Sequence, residues 1–420
     1  MGSRSPAARA LAYWRKQGGR RFARLVAEVF GDYVSGLVAP LGRASRELPV
    51  LSRPSQDGLP EIVLLGLIEW AYRFQRPQQL CHAWARVGCR VHYCAPFSNA
   101  SWGRGWRMRP LGHDGRLWHV RFFTPNLTSV DDLTSSNVSA ACFAYGLQRL
   151  VDQMRGNSPV VLIAENPFWD TVLQNIRGAH IIYDCLDDFT DFSHARPETA
   201  RREMELVDRC HAVVSTADHL ATRWRQYALP QAVIRNACDY EHFSVPPPRL
   251  YPVPPHKPVI GYHGALENWF DMELVEAVAR AYPHCTVLLV GGGDKELTRS
   301  LRLLPNVILP GEVSYADLPQ YVHTFTVALL PFRIQPLTLG TNPVKMYEYL
   351  AAGLPVVAVP LPEMAQFGNL VEIASGEDFV KAVGRQLDRC HDDADKRRAF
   401  ARAHSWDERA KAFLDLCNDL

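Results

Sequence analysis

The sequence lacks a secretory signal, a membrane-spanning apolar run and the closely spaced cysteines of a metal site. Ten cysteines are scattered over 420 residues, and no two have the C-x-x-C spacing of a zinc or redox site. The N-terminus has no apolar core of a secretory signal, and no apolar run approaches the ~20 residues that span a bilayer. The sequence therefore predicts a cytoplasmic protein with reduced thiols and no bound metal.

A strong charge of either sign is also missing, since the formal net charge is +2. This balance gives no indication of nucleic acid as a partner. Basic residues are instead concentrated in residues 1–50, where apolar residues from Phe22 onward recur every three or four positions. That spacing predicts a basic amphipathic helix. Two interpretations remain open: the helix lies on an anionic membrane surface, which makes the protein peripheral to the plasma membrane, or it packs on its own domain.

Short apolar runs and amphipathic segments alternate from about residue 60 onward, which is typical of parallel sheets covered by helices. A proline-rich segment interrupts this alternation and is interpreted as an interdomain linker. The predicted fold class is α/β, with two Rossmann-like, doubly wound domains facing a cleft beyond the C-terminal strand ends. The predicted divisions are an N-terminal extension (1–50), an N-terminal domain (51–245), the linker (246–258), a C-terminal domain (259–405) and a final helix (406–420).

The clearest candidate site begins with a loop in the C-terminal domain. Gly340, Thr341 and Asn342 come directly before a predicted helix that has Pro343 in its first turn. Proline is favourable there, and the free amides of a helix N-terminus bind anions. Lys345 in the same turn opposes the helix dipole unless an anion neutralises its charge. The loop amides and Lys345 are therefore predicted to bind a diphosphate.

Three further residues extend this candidate site. Glu348 follows Lys345 by three positions on the same side of the helix, where its carboxylate would accept the hydroxyls of a ribose, or would form an ordinary solvated ion pair with Lys345. Gly264, in a G-x-x-G turn, either lets the backbone approach a phosphate or serves a turn that needs a positive φ. Gly292 lies in a run of three glycines after a strand, which is interpreted as a loop for the nucleotide base.

Charged residues also follow two strands of the N-terminal domain. Asp184, Asp187 and Asp188 stand at the end of a predicted strand, and crowded carboxylates raise one another's pKa, which is one way to form a general base. Asp184 is the first candidate for that role, Asp188 is alternatively a helix cap, and the spacing does not match a metal loop. Arg73 and Arg76 lie in the loop after the first strand, where they contact an anionic acceptor or are surface charges at a helix start.

The order of these motifs resembles a known family. The segment N-P-V-K-x-Y-E-Y-x-A-A-G-x-P-V-V after a proline-rich linker is similar to the large retaining group of GT-B glycosyltransferases, within it to the branch typified by teichuronic-acid biosynthesis enzymes. Four more segments carry the resemblance, which covers roughly residues 60 to 415: R-P-Q-Q-L from Arg76, Y-D-C-L-D-D-F from Tyr183, I-R-N-A-C-D from Ile234, and G-Y-H-G-A-L from Gly261.

The resemblance implies a donor site with unusual charges. Glu348 matches the second acid of the family's E-x7-E signature, which holds the donor ribose, whereas the first acid would fall at Gly340. The basic residues that hold the diphosphate in the family would fall near Ala265 and Asn268, and they are absent. Lys345, the loop amides and Arg333 are the residues that would compensate. By position, Asp184 matches the family residue that faces the reacting sugar.

The resemblance implies an enzyme of the EC 2.4 class that moves a sugar from a nucleotide-diphosphate donor to a saccharide or lipid-linked acceptor in bacterial envelope synthesis, with retention. It implies no tightly bound cofactor, and a last helix from Trp406 that packs back on the N-terminal domain. Two other functions remain open: a sugar-nucleotide epimerase on the same fold, and a non-catalytic nucleotide-sugar-binding or membrane scaffold protein.

Overall fold

A computed structural model describes residues 53–95, 106–124, 130, 133, 138–156, 158–191, 195–293, 296–389 and 393–420. The predicted N-terminal helix in residues 1–50 lies outside these residues. The chain forms two compact units, which are described separately. The N-terminal unit contains the described residues up to Arg235 together with Trp406–Leu420, and the C-terminal unit contains Asn236–Ser405.

The N-terminal unit is built on one sheet, whose strands in the order of the sheet are β3, β4, β2, β1, β5, β6, β7 and β8. Their ranges are β1 (Glu61–Leu65), β2 (Val91–Cys94), β3 (Trp106–Gly112), β4 (Leu117–Phe122), β5 (Val160–Ala164), β6 (His180–Cys185), β7 (Ala212–Ser215) and β8 (Gln231–Val233). The central strands read as continuous apolar runs because helices cover both faces of a parallel sheet. Strand β3 pairs antiparallel with β4, so the prediction of a purely parallel sheet is wrong at this edge. Pro110 and the exposed Arg109 suit an edge strand, because such a strand forms no backbone hydrogen bonds to a neighbouring strand on its outer side.

Along the chain, the helices of the N-terminal unit alternate with these strands. They are α1 (Arg76–Val87), α2 (Val138–Met154), α3 (Asp170–Leu173), α4 (Thr199–Val207) and α5 (Asp218–Ala221). The predicted helix from Asp218 to Tyr227 ends at Ala221 and continues as turns. Within the described residues, no helix combines the length and the apolar character that a membrane crossing requires.

The C-terminal unit has a parallel sheet of six strands in the order β11, β10, β9, β12, β13 and β14. Their ranges are β9 (Val259–His263), β10 (Thr286–Val290), β11 (Val307–Gly311), β12 (Val327–Leu330), β13 (Val356–Ala358) and β14 (Glu372–Ile373). Strands β9 and β12 are neighbours in the sheet although they are far apart in the sequence. Because they are parallel, the loops that follow their carboxyl ends lie side by side at one edge of the sheet. Ligands of such sheets bind at this edge.

One helix precedes the strands of this second sheet, others connect them, and two more follow the last strand. They are α6 (Tyr240–Ser244), α7 (Met272–Ala281), α8 (Arg299–Arg302), α9 (Leu318–Val322), α10 (Pro336–Leu339), α11 (Val344–Ala351), α12 (Gly376–Asp388) and α13 (Ala394–Ala403). The last helix, α14 (Trp406–Asn418), belongs to the N-terminal unit.

The proline-rich segment 246–258 does not mark the division between the units. The chain passes from one unit to the other between Arg235 and Asn236, so this segment belongs with the C-terminal unit. Tyr251 stacks on Tyr321 with ring centroids 4.5 Å apart, and its backbone amide donates to the carbonyl of Gln320. These contacts explain why the predicted linker is instead an extended segment packed on its own unit.

Candidate functional site

Helix α11 places Pro343 just outside the first turn in which the sequence predicts it. Pro343 is its N-cap residue, with φ −75° and ψ 115°, and the helical residues start at Val344. The amides of Val344 and Lys345 therefore have no hydrogen-bond acceptor within the helix, because no helical residue lies four positions before them. These two amides, at the carboxyl edge of the sheet, are donors of the kind that bind anions at helix N-termini.

The loop before α11 uses its polar groups mostly within the protein. The amides of Gly340 and Thr341 both donate to the carbonyl of Thr338. The Asn342 side chain is buried, accepts hydrogen bonds from the Asn236 amide and the Tyr347 hydroxyl, and donates to Glu363. The prediction that this loop offers three amides to a diphosphate is therefore wrong for Gly340 and Thr341, because a short turn already engages them.

Lys345 lies in a partly apolar niche. Its Nζ is 4.8 Å from the centre of the Phe332 ring and 5.5 Å from that of Tyr262. Desolvation in this niche lowers the pKa of Lys345 to about 8, although the negative charge of Glu348 acts in the opposite direction. A bound anion would restore the stability of the charged ammonium, so the niche suits a diphosphate.

Gly264 leaves the space that Lys345 occupies. Its φ of +136° lies in the region that favours glycine, which is the turn requirement predicted from the sequence. A Cβ atom at this position would stand 2.8 Å from the Tyr262 hydroxyl and 2.9 Å from Cε of Lys345. A larger residue would thus displace the lysine.

Glu348 is buried and faces a histidine. Its Oε2 lies 3.1 Å from Nε2 of His263, at ion-pair distance but without hydrogen-bond alignment. The His263 amide donates to the hydroxyl of Tyr349, which fixes the end of β9 against α11. The interpretation of Lys345 and Glu348 as a solvated surface pair is therefore wrong, since both are at least partly buried. The sequence does not identify His263 as the partner of Glu348, because a histidine at the end of a strand is also explained by packing alone.

The glycine run after β10 has a packing role. The amide of Gly264 donates to the carbonyl of Val290, and that of Leu266 donates to Gly292. A Cβ on Gly291 would stand only 1.8 Å from the Gly264 carbonyl oxygen. The run therefore lets the loop after β9 pack beside the loop after β10. Arg333, after β12, exposes its side chain while its amide donates to Trp269.

In the N-terminal unit, Asp184 and Arg76 form a buried, bidentate ion pair. Nε of Arg76 donates to Oδ2 of Asp184 at 2.9 Å, and Nη2 donates to Oδ1 at 3.0 Å. Burial raises the pKa of Asp184, and the Arg76 guanidinium acts against that rise. Arg76 is the first residue of α1 and is only 4% exposed, so neither a surface charge nor a direct acceptor contact describes it. Crowding with Asp187 is not what perturbs Asp184.

A second buried carboxyl stands next to this pair and was missed by the sequence reasoning. Glu165 and Asp184 directly follow the paired residues Ala164 and Tyr183 of β5 and β6, so they occupy neighbouring positions. Burial, and then the charge of Asp184, raise the pKa of Glu165 well above its ordinary value, while Arg76 lowers it. A polar residue directly after an apolar strand was the available signal.

Asp188 and Asp187 have different surroundings. Oδ1 of Asp188 accepts hydrogen bonds from the amide and hydroxyl of Thr190 and lies 3.2 Å from Arg223, so this carboxylate shapes its own turn. The alternative of a helix cap is wrong, because the next described helix, α4, begins only at Thr199. Burial, and then the charge of Asp188, raise the pKa of Asp187 to about 7. Arg73 is partly exposed, with its guanidinium 4.9 Å from the Tyr72 ring centre. Arg73, Asp187 and Asp188 are all partly exposed.

Within the described residues, no group of three or more His, Cys, Asp or Glu is arranged to hold a metal ion. The candidate residues fall into two sets, one in each unit. The set around Lys345 combines a cation, helix amides and a buried acid, which is the chemistry that a phosphorylated ligand requires.

Comparisons with known proteins relate both sequence and fold to glycosyltransferases. Residues 257–389 match the family model described as glycosyl transferases group 1. Over 256 residues the chain is 27% identical to TuaH of Bacillus subtilis (strain 168), a protein named for teichuronic acid biosynthesis and glycosyl transfer. The match covers 54% of this chain and 64% of TuaH, which is less than two thirds of the relative's length.

Two solved structures illustrate the likeness of the fold. Sucrose-phosphate synthase from Thermosynechococcus elongatus is 15% identical with a TM-score of 0.67, covering 86% of this chain and 98% of that chain. HepE from Anabaena, solved with UDP and glucose, is 14% identical with a TM-score of 0.60, covering 86% and 100%. Identities this low establish the shared GT-B fold alone, as the sequence predicted.

Proposed function

We propose that the chain transfers a sugar from a nucleotide-diphosphate donor to a saccharide or lipid-linked acceptor, because residues 257–389 match the model of the glycosyl transferases group 1 family. The observation that carries the proposal is Lys345 in its niche at the start of α11, above Gly264 and one helical turn before Glu348. A lone lysine with a lowered pKa gains most from an anionic ligand, and a nucleoside diphosphate is such a ligand.

In the proposed complex, the diphosphate lies against Lys345 and the amides of Val344 and Lys345, and Glu348 accepts the ribose hydroxyls. The contact between Oε2 of Glu348 and Nε2 of His263 keeps the carboxylate beside the end of β9. When the glycosidic bond to the donor breaks, negative charge grows on the diphosphate. Protonated Lys345 and the helix amides stabilise that charge in the transition state.

The acceptor and the stereochemical course are the finer parts of the proposal. The name of TuaH points to an envelope polysaccharide as the product, and the family resemblance points to retention. Arg73 and Asp187 in the N-terminal unit are the proposed acceptor contacts, because both are partly exposed, Arg73 is positively charged, and Asp187, with its pKa raised to about 7, can either donate or accept a hydrogen bond. Asp184 is proposed to act through Arg76, since its own carboxylate is fully buried.

A binding screen followed by matched variants tests the proposal. UDP, GDP and dTDP sugars are compared with CMP sugars, which carry a single phosphate, by the thermal shift they cause. With the best donor, Lys345→Met is expected to lower kcat about 100-fold, the effect of removing one donor to a developing anion. Glu348→Gln is expected to raise KM for the donor. Lys381→Met is the control, because Lys381 is an exposed lysine of the same unit that pairs only with Asp378 in α12.

Three outcomes would contradict the proposal in different ways. If no nucleotide sugar stabilises the protein, a scaffold role replaces it. If a donor is converted to its epimer without transfer, the epimerase alternative replaces it. If Lys345→Met and Lys381→Met leave transfer equally intact, the enzyme is a transferase but its donor site lies elsewhere.

Residues 1–50 are proposed to bring the protein to an anionic membrane surface, since their basic and apolar residues alternate. We expect the full chain, but not a form that begins at residue 51, to float with liposomes that contain phosphatidylglycerol. Neutral phosphatidylcholine liposomes are the control. Equal flotation of both forms would remove this proposal.

A further inference from the structure

The peptide group between Arg235 and Asn236 is where the chain passes from the N-terminal unit to the C-terminal unit. Both of its polar atoms are held by side chains. The carbonyl oxygen of Arg235 accepts a hydrogen bond from Nη1 of Arg76 at 3.2 Å. The amide of Asn236 donates to Oδ1 of Asn342 at 3.0 Å. Each hydrogen bond lies within one unit, and the link between them is this covalent group.

On the C-terminal side, the hydrogen bonds lead to the loop before α11. Nδ2 of Asn236 donates to the backbone carbonyl of Asn342 at 2.6 Å, so the two asparagines hold each other reciprocally. Nδ2 of Asn342 donates to Oε2 of Glu363 at 2.7 Å, and the Tyr347 hydroxyl donates to Oδ1 of Asn342 at 3.1 Å. Asn342 is 2% exposed, and it directly precedes the N-cap of the helix that carries Lys345. The network therefore fixes where that helix begins.

On the N-terminal side, the same guanidinium that donates to Arg235 forms the fork with Asp184. That fork uses Nε and Nη2 of Arg76, and the third nitrogen, Nη1, reaches the peptide carbonyl. Because the guanidinium is planar and rigid, a shift of the fork also shifts the direction of Nη1. The position of the carbonyl is thus tied to the buried ion pair.

A trans peptide is planar, and its carbonyl and amide point to opposite sides. Rotation of the plane would weaken both hydrogen bonds together. The two bonds also strengthen each other, because a hydrogen bond to the carbonyl polarises the amide that donates onward.

We propose that the Arg235–Asn236 peptide group couples the Arg76–Asp184 pair to the loop that starts α11, with Asn342 as a positioning residue for donor transfer. This inference rests on the proposed function, because the loop matters through Lys345. It predicts that the effects of changing Arg76 and Asn342 on transfer are not independent.

A double-mutant cycle tests the coupling. Arg76→Lys keeps the charge but loses the fork, and Asn342→Ala removes the acceptor of the Asn236 amide. Independent sites have losses in kcat/KM that multiply. We expect the double variant to lose at least about threefold less than the product of the single losses, which lies within the usual range for coupled residues. The control cycle pairs Asn342→Ala with Arg86→Lys, since Arg86 is on the same helix α1 but its side chain is 47% exposed and pairs with Asp407.

Each variant is also unfolded thermally without donor, so that a role in folding alone is visible. Should Asn342→Ala not fold, Asn342→Ser replaces it as a smaller change that still shortens the side chain. Multiplicative losses for Arg76 and Asn342, or non-additivity in the unfolding midpoint without any in kcat/KM, would overturn the coupling. The unmodified protein is measured first: if it transfers no sugar, the proposed function fails, whereas an active protein with independent effects refutes only this inference.

Discussion

One lysine side chain sets the pH dependence that we expect of donor binding. Partial burial lowers the pKa of Lys345 to about 8. Only the protonated form attracts a diphosphate, and a bound diphosphate raises the same pKa in turn. The affinity for UDP should therefore be level between pH 7 and 8 and fall by up to about tenfold for each pH unit above. Isothermal titration calorimetry over pH 7 to 9.5 measures this.

Two substitutions separate this effect from a general alkaline loss of structure. Lys345→Arg keeps its charge across the range, so its affinity for UDP should not fall above pH 8. Lys345→Met should bind weakly at every pH. Equal affinity of the unmodified protein at pH 7 and pH 9.5 would mean that Lys345 does not contact the diphosphate.

At the scale of elements, the loop between β9 and α7 depends on a glycine for two reasons, and a matched pair of variants separates them. Gly264 has φ +136° and no room for a Cβ beside Lys345. Gly368 has φ +52°, but nothing lies within 4 Å of its Cβ position. Gly368→Ala should cost only the backbone strain, about 1 to 3 kcal/mol, and leave UDP binding unchanged. Gly264→Ala should cost more and also weaken UDP binding, because its methyl group displaces Lys345.

Urea unfolding and UDP titration of both variants provide the comparison. If the two alanine variants bind UDP equally well, crowding at Gly264 does not control the position of Lys345. If only Gly264→Ala loses affinity, the space that this glycine leaves is part of the donor site.

The sequence was sufficient for most individual elements. The apolar runs Thr286–Val290 and Val327–Leu330 predict buried parallel strands, and β10 and β12 have the same ends. The sequence does not predict strand β3, because its arginines, methionine and proline do not resemble a buried strand. It is a strand because it pairs antiparallel with β4. The helix at Asp218 was predicted too long because amphipathic spacing continues beyond Ala221 into turns.

At the scale of the whole molecule, the pairings across long sequence distances could not be predicted. Arg76 and Asp184 are 108 residues apart, and Asn236 and Asn342 are 106 apart. The sequence places Arg76 in a loop after the first strand and Asp184 in a cluster of aspartates, and only the topology of the sheets shows that the two are buried partners. Position along the chain identified Lys345 and Glu348, but not His263, which comes from a neighbouring strand.

The last helix offers a test at this same scale, because it completes the N-terminal unit. Nε1 of Trp84 donates to the carbonyl of Ala410 at 3.3 Å, and the Trp84 and Phe413 rings meet edge to face at 5.3 Å. Phe413 is fully buried, and the Arg76 guanidinium lies 5.6 Å from its ring centre. Phe413→Ala should therefore lower the free energy of unfolding of this unit by about 3 to 5 kcal/mol, the cost of a large cavity.

Tryptophan fluorescence during urea unfolding measures this loss, because Trp269 is the sole tryptophan of Asn236–Ser405 and the N-terminal unit holds many more. Lys411→Ala, an exposed change on the same helix, is the control and should shift the transition little. Below the transition, Phe413→Ala should alter UDP binding only through Arg76, since the proposed donor residues all belong to the C-terminal unit. A loss of UDP affinity in Phe413→Ala that exceeds the loss in Arg76→Lys would show that donor binding depends on the N-terminal unit beyond Arg76, and would move part of the donor site out of the C-terminal unit.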